Sequence, residues 1–444
     1  MSLQNLIADY QAKTPRSRAL FEEAQRVLPG GNTRTTIFID PYPFYAVRGS
    51  GPRIWDADGH ERLDFNGNYT SLILGHAPPA VVAAVQEVAP RGLSFPGPSE
   101  HELRLAEVLT RRVPSCQQVR FANSGTEATM LAIRGARAYT GRAKIAKCEG
   151  AYHGTHDWVQ VSITPPVDGA GSRKRPKPVA AGAGVPDAVL KHVVVLPWND
   201  ADAAVALIDK HARDLACVIV EPVQGAAGVI PPADGFLQAL RDATARHGIV
   251  LIFDEVITFR LGPGGAQESM GVTPDMTTFG KIIGGGLPVG AFGGRAEVMA
   301  VFDPRGGKPK VAQGGTFNAN PLTMAAGLAT LAALTPEVYA RLDRLGERLR
   351  EGVRKLFRAR KVKAQVTGVG SLFCLHWTPK RVVDFRSSRP TDPEQPLRTY
   401  VGLLNEGVLL SQRGMGAVSA AMVEAEVDRF VDALGKVLDR EEQR

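Results

Sequence analysis

Apolar and polar positions change period several times along the 444-residue chain, and those changes divide it. Between Ser17 and Leu28 the apolar residues Leu20, Phe21, Ala24, Val27 and Leu28 fall at helical spacing, and the pattern stops at Pro29-Gly30-Gly31. From Tyr45 to Phe65 apolar and polar residues alternate around Ala57-Asp58-Gly59, which predicts a hairpin. From about Ala80 onward, helical patterns (128–139, 203–211, 235–247) alternate with short apolar runs at 119–121, 144–146, 193–196, 218–220 and 249–253. Alternation of this kind predicts βαβ units and a largely parallel sheet buried on both faces. The segment 165–186 has no period. Rich in Pro, Gly, Ala and basic residues, it is expected to be a mobile surface loop, with a lid as one role open to it. Past Pro321 the pattern is helical over 322–334 and 339–358, strand-like at 371–376 and 408–411, and helical over 424–438.

The predicted class is α/β, with a mostly parallel central sheet in a large domain and a smaller α/β domain. The expected division is an N-terminal segment 1–65 that joins the small domain and the dimer interface, a large domain 66–321 and a small domain 322–444. A chain of this length is too long for one ordinary core. Hydrophobic content of 44% and charged content of 22% suit a soluble globular protein. The net charge of +8 is compatible with nucleic acid, but Arg173-Lys174-Arg175-Pro176-Lys177 is the one basic run. The reading is therefore a solvated surface that attracts small anions, with no nucleic-acid partner. Cys116, Cys148, Cys217 and Cys374 form no CxxC pair, so buried thiols are expected, without disulfides or a metal site. No leader pattern opens the chain and no apolar run nears ~18 residues, which predicts a cytoplasmic protein without a membrane partner.

Within this frame, Lys281 stands between the strand-like Met276–Phe279 and Gly284-Gly285-Gly286. A lysine among apolar neighbours sheds its proton more readily and becomes an amine nucleophile for a carbonyl; an exposed turn lysine is the plain alternative. Phe121-Ala122-Asn123-Ser124-Gly125-Thr126-Glu127 runs off a strand into a helix, where free amides and the helix dipole favour a phosphate. An ordinary N-cap reads the same way. The apolar run 249–253 ends in Asp254-Glu255. Ligands gather at such strand ends, and an acid there holds a heterocyclic nitrogen protonated. The same segment resembles the acidic strand of a P-loop NTPase, yet neither GxxxxGK[ST] nor GxGxxG occurs in the chain. Tyr152, in Gly150-Ala151-Tyr152-His153-Gly154, is placed either to stack on a planar cofactor or simply to pack. Gln224, in Glu221-Pro222-Val223-Gln224-Gly225, can hydrogen-bond a phenolic oxygen, or the motif merely ends a strand.

In this order, phosphate cradle, aromatic, acid and lysine resemble the class III (subgroup II) aminotransferases of fold type I, which use pyridoxal 5′-phosphate. The resemblance runs from about Pro29 to the C-terminal helix. It implies that Lys281 carries the cofactor as a Schiff base and that Asp254 pairs with the ring nitrogen. Val256 would pack behind the ring, Tyr152 would stack on its other face with His153 beside it, and Gln224 would meet the ring hydroxyl. Ser124, Gly125 and Thr126 would hold the phosphate, completed by Thr316 of the partner subunit in a homodimer with shared sites. The reaction implied is ping-pong transfer of an amino group from a small-molecule donor to a 2-oxo acid acceptor.

Two branches of the family share further motifs with the chain. Residues 123–140, 285–294 and 29–34 resemble glutamate-1-semialdehyde 2,1-aminomutase. The chain departs from that branch at Gln224-Gly225-Ala226, where the mutase pattern is Ala-Gly-Asn, and at Gly315-Thr316-Phe317-Asn318-Ala319-Asn320-Pro321, where it is Gly-Thr-Leu-Ser-Gly-Asn-Pro. Asn32-Thr33-Arg34, Phe292–Arg295, 315–318 and Leu410-Ser411-Gln412-Arg413-Gly414 resemble the β-amino acid (β-phenylalanine type) aminotransferases, with Gln412 in place of the usual Pro. In that branch the arginines matching Arg34 and Arg413 bind substrate carboxylates, a task suited to a planar, permanently charged group, and Tyr69 would line the pocket. Surface ion pairs and packing are the plain alternatives for these three. The expected activity is an aminotransferase for a β-amino acid. Alternatives are the aminomutase, a broad ω-amine transaminase, or a catalytically inactive cofactor-binding homologue.

Overall fold

The computed structural model describes residues 2–442. Its centre is a seven-stranded sheet in the order Gln118–Ala122, Gly290–Gly294, Met276–Gly280, Val250–Asp254, Leu215–Val220, Lys144–Cys148 and Val193–Leu196. The last five pair in parallel, while Gly290–Gly294 runs antiparallel to both its neighbours. Side chains alternate between the faces of a strand, and here the alternation sorts into two cores. Ala146, Cys148, Val218, Val220, Leu251 and Phe253 pack against helices Ala201–His211 and Phe236–Arg246. Ile145, Cys217, Ile219, Val250 and Ile252 face the other way, toward Gly125–Thr140. The near-continuous apolar runs of the sequence are what a sheet buried on both faces requires.

The chain ends meet in a second assembly. Ala46–Ser50, Arg53–Asp56 and Glu61–Asp64 form an antiparallel meander with turns at 51–52 and 57–60. The two-residue strand Val408–Leu409 then extends it by pairing in parallel with Leu63 and Asp64. A three-stranded sheet (Gln365–Val369, Leu372–His376, Met415–Ala417) packs with helices Pro336–Ala359 and Glu424–Glu442. Leu63, Phe65, Leu345, Phe373 and Phe430 share one core there.

Several expectations change. The helix expected from Ser17 begins at Pro15, where proline suits the first turn, and an earlier helix spans Leu3–Lys13. Strand Gly290–Gly294 and helix Gln395–Asn405 were not legible from period. The segment 165–186 is not a free loop. It carries a small hairpin, Gly171–Ser172 with Arg175–Pro176, and is anchored at two points. Arg386 donates to Ala170 O (3.1 Å) and Gly171 O (2.8 Å) while making a two-pronged ion pair with Glu149 (2.7 and 2.8 Å). Arg173 binds Asp384 at 2.5 Å. Such planar, charge-assisted pairs fix geometry as well as charge. All four cysteines are free and buried. Among the described residues, no helix is long and apolar enough to cross a membrane.

Candidate active site

Strand ends on one side of the sheet supply the site. Helix Gly125–Thr140 opens with a reciprocal cap. Ser124 Oγ accepts the Glu127 N–H (3.1 Å), and Glu127 Oε2 accepts the Asn123 N–H (2.8 Å). The cap leaves the Gly125 and Thr126 N–H groups without an intrahelical partner, at the positive end of the dipole. Two glycines keep this cradle clear. A Cβ on Gly290 would lie 2.0 Å from Ser124 O, and one on Gly154, whose φ is +103°, would lie 2.7 Å from Thr126 Oγ1. Val256 stands beside it, its Cγ1 within 3.1 and 3.2 Å of the Cβ positions of Gly125 and Gly280.

Asp254 ends the strand Val250–Asp254 and is 4% exposed. Its Oδ1 accepts from the Val256 N–H and the Thr278 hydroxyl, both at 3.1 Å, and its Oδ2 meets His153 Nδ1 at 2.7 Å. The carboxylate is thus held from behind. His153 is fully buried and pairs with Asp254; burial lowers its proton affinity while Asp254 raises it. Tyr152, on the same turn, is only partly covered, and that partial burial together with the Asp254 carboxylate raises its proton affinity. Gln224 is buried and donates Nε2 to Glu149 O at 2.5 Å.

Lys281 follows the strand Met276–Gly280 directly, with a left-handed φ of +50°. A non-glycine residue held there costs about 1–3 kcal/mol, a strain found where function demands a set geometry. Burial lowers the amine's proton affinity, and the Asp254 and Glu221 carboxyls oppose that shift. The amine is therefore closer to its nucleophilic, neutral form than a surface lysine is.

Two buried polar atoms here have no partner among the described residues, Gln224 Oε1 and His153 Nε2. With the open cradle, the anchored acid and the lysine, they fit a ring that carries a phosphate, a basic nitrogen and a hydroxyl. Among the described residues no group of His, Cys, Asp and Glu has a metal-binding arrangement.

Arg34 lies beside Asn68 and Tyr69, and the Arg413 loop is tied to the segment that follows Arg34 through its neighbour Gln412. Arg34 donates to Asn68 Oδ1 (2.8 Å) and lies 6.0 Å from the centre of the Tyr69 ring. The Tyr69 hydroxyl bonds Thr36 O, and Gln412, beside Arg413, bonds Phe38 O. Asn68, Tyr69 and Thr70 are consecutive left-handed residues (φ 48°, 54° and 73°). The buried Arg260 secures their far end by donating to Thr70 O (2.8 Å), Val418 O (2.6 Å) and Ser371 Oγ (2.9 Å). Both arginine side chains are exposed. Thr316 is also exposed, on a loop that Asn318 ties to Asn123 (2.8 Å).

Sequence reasoning missed Asn68, Glu221, Lys147 and Arg260. Asn68 was in principle detectable, because asparagine tolerates left-handed backbone. A charged residue inside an apolar run marks Lys147 in the same way. Glu221 directly follows the apolar run 218–220, the same kind of signal that marks Asp254, whereas Arg260 carries no local signal.

A family model described as Aminotransferase class-III matches residues 39–438. The glutamate-1-semialdehyde 2,1-aminomutase of Methanothermobacter thermautotrophicus is 43% identical over 426 residues, spanning 95% of this chain and 99% of that protein. An omega-transaminase from Sphaerobacter thermophilus superposes with a TM-score of 0.91 at 51% identity, over 95% of this chain and 97% of that one. A β-phenylalanine aminotransferase from Variovorax paradoxus superposes with a TM-score of 0.90 at 39% identity, over 100% and 99% of the two chains.

Proposed function

The chain belongs to the class-III aminotransferases, with the fold type I architecture and pyridoxal 5′-phosphate as cofactor, and on that footing we propose that it moves an amino group from a β-amino acid to a 2-oxo acid. The observation that carries the substrate reading is the cluster around Arg34. Cross-segment hydrogen bonds bring Arg34, Tyr69 and the Arg413 loop together, although 379 positions separate the two arginines (413 − 34). Two guanidiniums suit a donor and an acceptor that both carry carboxylates.

When bound, the cofactor supplies an electron-withdrawing ring that stabilises negative charge at the substrate carbon. Lys281 would hold it covalently and, once the substrate amine has displaced it, the freed Nζ would take and return the proton at that carbon. Asp254, fixed by Thr278, Val256 and His153, keeps the ring nitrogen protonated. Ser124, Gly125 and Thr126 seat the phosphate, joined by Thr316 of the partner subunit in a homodimer. Tyr152 and Val256 enclose the ring, and Gln224 meets its hydroxyl.

The test is a donor panel with the loaded enzyme and 2-oxoglutarate or pyruvate. Keto product from a β-phenylalanine-type donor, together with fading of the cofactor's visible absorption, is the expected outcome. The second reading, aminomutase, is favoured by similarity to proteins of that name over nearly the whole chain. It predicts 5-aminolevulinate from glutamate-1-semialdehyde and no turnover of β-amino acids. Against it stand Gln224-Gly225-Ala226 and Phe317-Asn318-Ala319, which depart from the mutase motifs.

A further inference from the structure

One acid in the site has no part in that scheme. Glu221 follows the strand Leu215–Val220 and is 3% exposed. Its two oxygens take different backbone partners. Oε2 accepts the Tyr152 N–H at 3.2 Å, and Oε1 accepts the Gly225 N–H at 3.1 Å. Tyr152 is the aromatic wall of the ring site, and Gly225 directly follows Gln224. The carboxyl group is therefore a brace between the two turns that carry the ring contacts. A Cβ on Gly225 would lie 3.2 Å from Oε1 and 2.8 Å from the Ile257 side chain, so a larger residue there would crowd this approach.

The charges around Glu221 come from three strand ends. Asp254 faces it from one neighbouring strand end, Lys281 from the strand beyond, and Lys147 and Cys148 from the strand Lys144–Cys148. Burial and the Asp254 carboxylate raise its proton affinity, and the Tyr152 and Gly225 N–H groups and the Lys281 amine pull it back down. A buried acid beside another acid is costly, and the two backbone N–H bonds to its oxygens offset part of that cost.

We propose that Glu221 is a positioning residue for the cofactor ring, its two carboxyl oxygens setting the spacing between the Tyr152 turn and the Gln224 turn. Glutamine is nearly the same size but has a single acceptor oxygen. In E221Q one turn stays braced, and the other meets an NH2 group that cannot accept its N–H. Aspartate keeps the acid but is one methylene too short to span both amides.

The test uses E221Q and E221D loaded with pyridoxal phosphate, read by the visible circular dichroism of the bound cofactor, its release rate, and the melting temperature of the cofactor-free proteins. Expected are a weakened visible dichroism band and release about tenfold faster, the effect of losing one hydrogen bond, with little change in melting of the cofactor-free form. Dichroism and release matching the wild type in both variants would overturn the proposal. So would a lowered melting temperature with unchanged cofactor signals, since the acid would then serve folding alone. If E221Q does not fold, E221D decides on the same readouts.

Discussion

Lys147 offers a sharp test of how burial and charge trade off in this fold. It lies on the strand Lys144–Cys148, next to the edge of the seven-stranded sheet, is wholly buried, and among the described residues no carboxylate is bonded to it. Its Nζ donates to Val161 O (2.7 Å) and Cys148 O (3.3 Å). Burial drives its proton affinity from 10.5 down to about 8, against the opposing pull of Cys148, Glu221 and Glu149. At 1.36 kcal/mol per pH unit, holding the ammonium at pH 7 costs the folded state about 3 kcal/mol. In Lys147→Met that cost disappears. Cys148 O keeps the Ala151 N–H at 3.3 Å, while Val161 O loses the lysine, a penalty of about 1–3 kcal/mol for a stranded buried carbonyl. The variant should therefore be neutral to about 2 kcal/mol more stable at pH 7.

The sign reverses with alkali. Between about pH 8 and 10.5 the unfolded chain holds the lysine proton and the folded chain does not, so this group makes wild-type stability rise with pH across that window. Above it the penalty is gone, and the variant shows only its lost hydrogen bond. Unfolding entropy of about 2.1 cal/mol/K per residue makes each kcal/mol worth about 1 °C in a chain of this length. The difference in melting temperature between variant and wild type should swing by about 3 °C from pH 7 to pH 10.5 in parallel fluorimetric scans. A difference that stays constant with pH would refute the reasoning.

Three further outcomes are expected. Arg386→Met strands the buried Glu149 carboxylate and releases the carbonyls of 170 and 171; it should cost about 3–5 kcal/mol, and limited proteolysis should cut within 165–186 in the variant alone. Asn68→Gly suits the φ of +48° but removes the contact to Arg34. KM should rise several-fold for donors bearing a carboxylate and stay put for simple amines, and an equal rise for both would sink the carboxylate role. Asp254→Asn removes the negative charge that Thr278, Val256 and His153 secure; kcat should fall about 10²–10⁴-fold while the protein still takes up cofactor, as steady-state rates and absorbance will show.

The chain's local patterns already carried much of this enzyme. The apolar runs at 193–196, 218–220 and 249–253 marked buried parallel strands, and Asp254, Ser124 to Thr126 and Lys281 were legible because each abuts such a run. A side chain's place at the end of a strand follows from covalent continuity, and periodicity reports it. Other features were settled by contacts between distant segments. Gly290–Gly294 has no strand-like period, and its role shows only against Ser124, where the backbone leaves no room for a Cβ. The 165–186 segment read as free because its anchors, Arg386 and Asp384, lie some 200 positions away. The meeting of Arg34, Tyr69 and the Arg413 loop, the brace at Glu221 and the hold of Arg260 on three segments belong to the same group. Local sequence sets backbone preference and which face is apolar, both short-range effects. Hydrogen bonds and ion pairs between remote segments depend on the folded geometry that brings their partners within about 3 Å, and tertiary structure alone decides those.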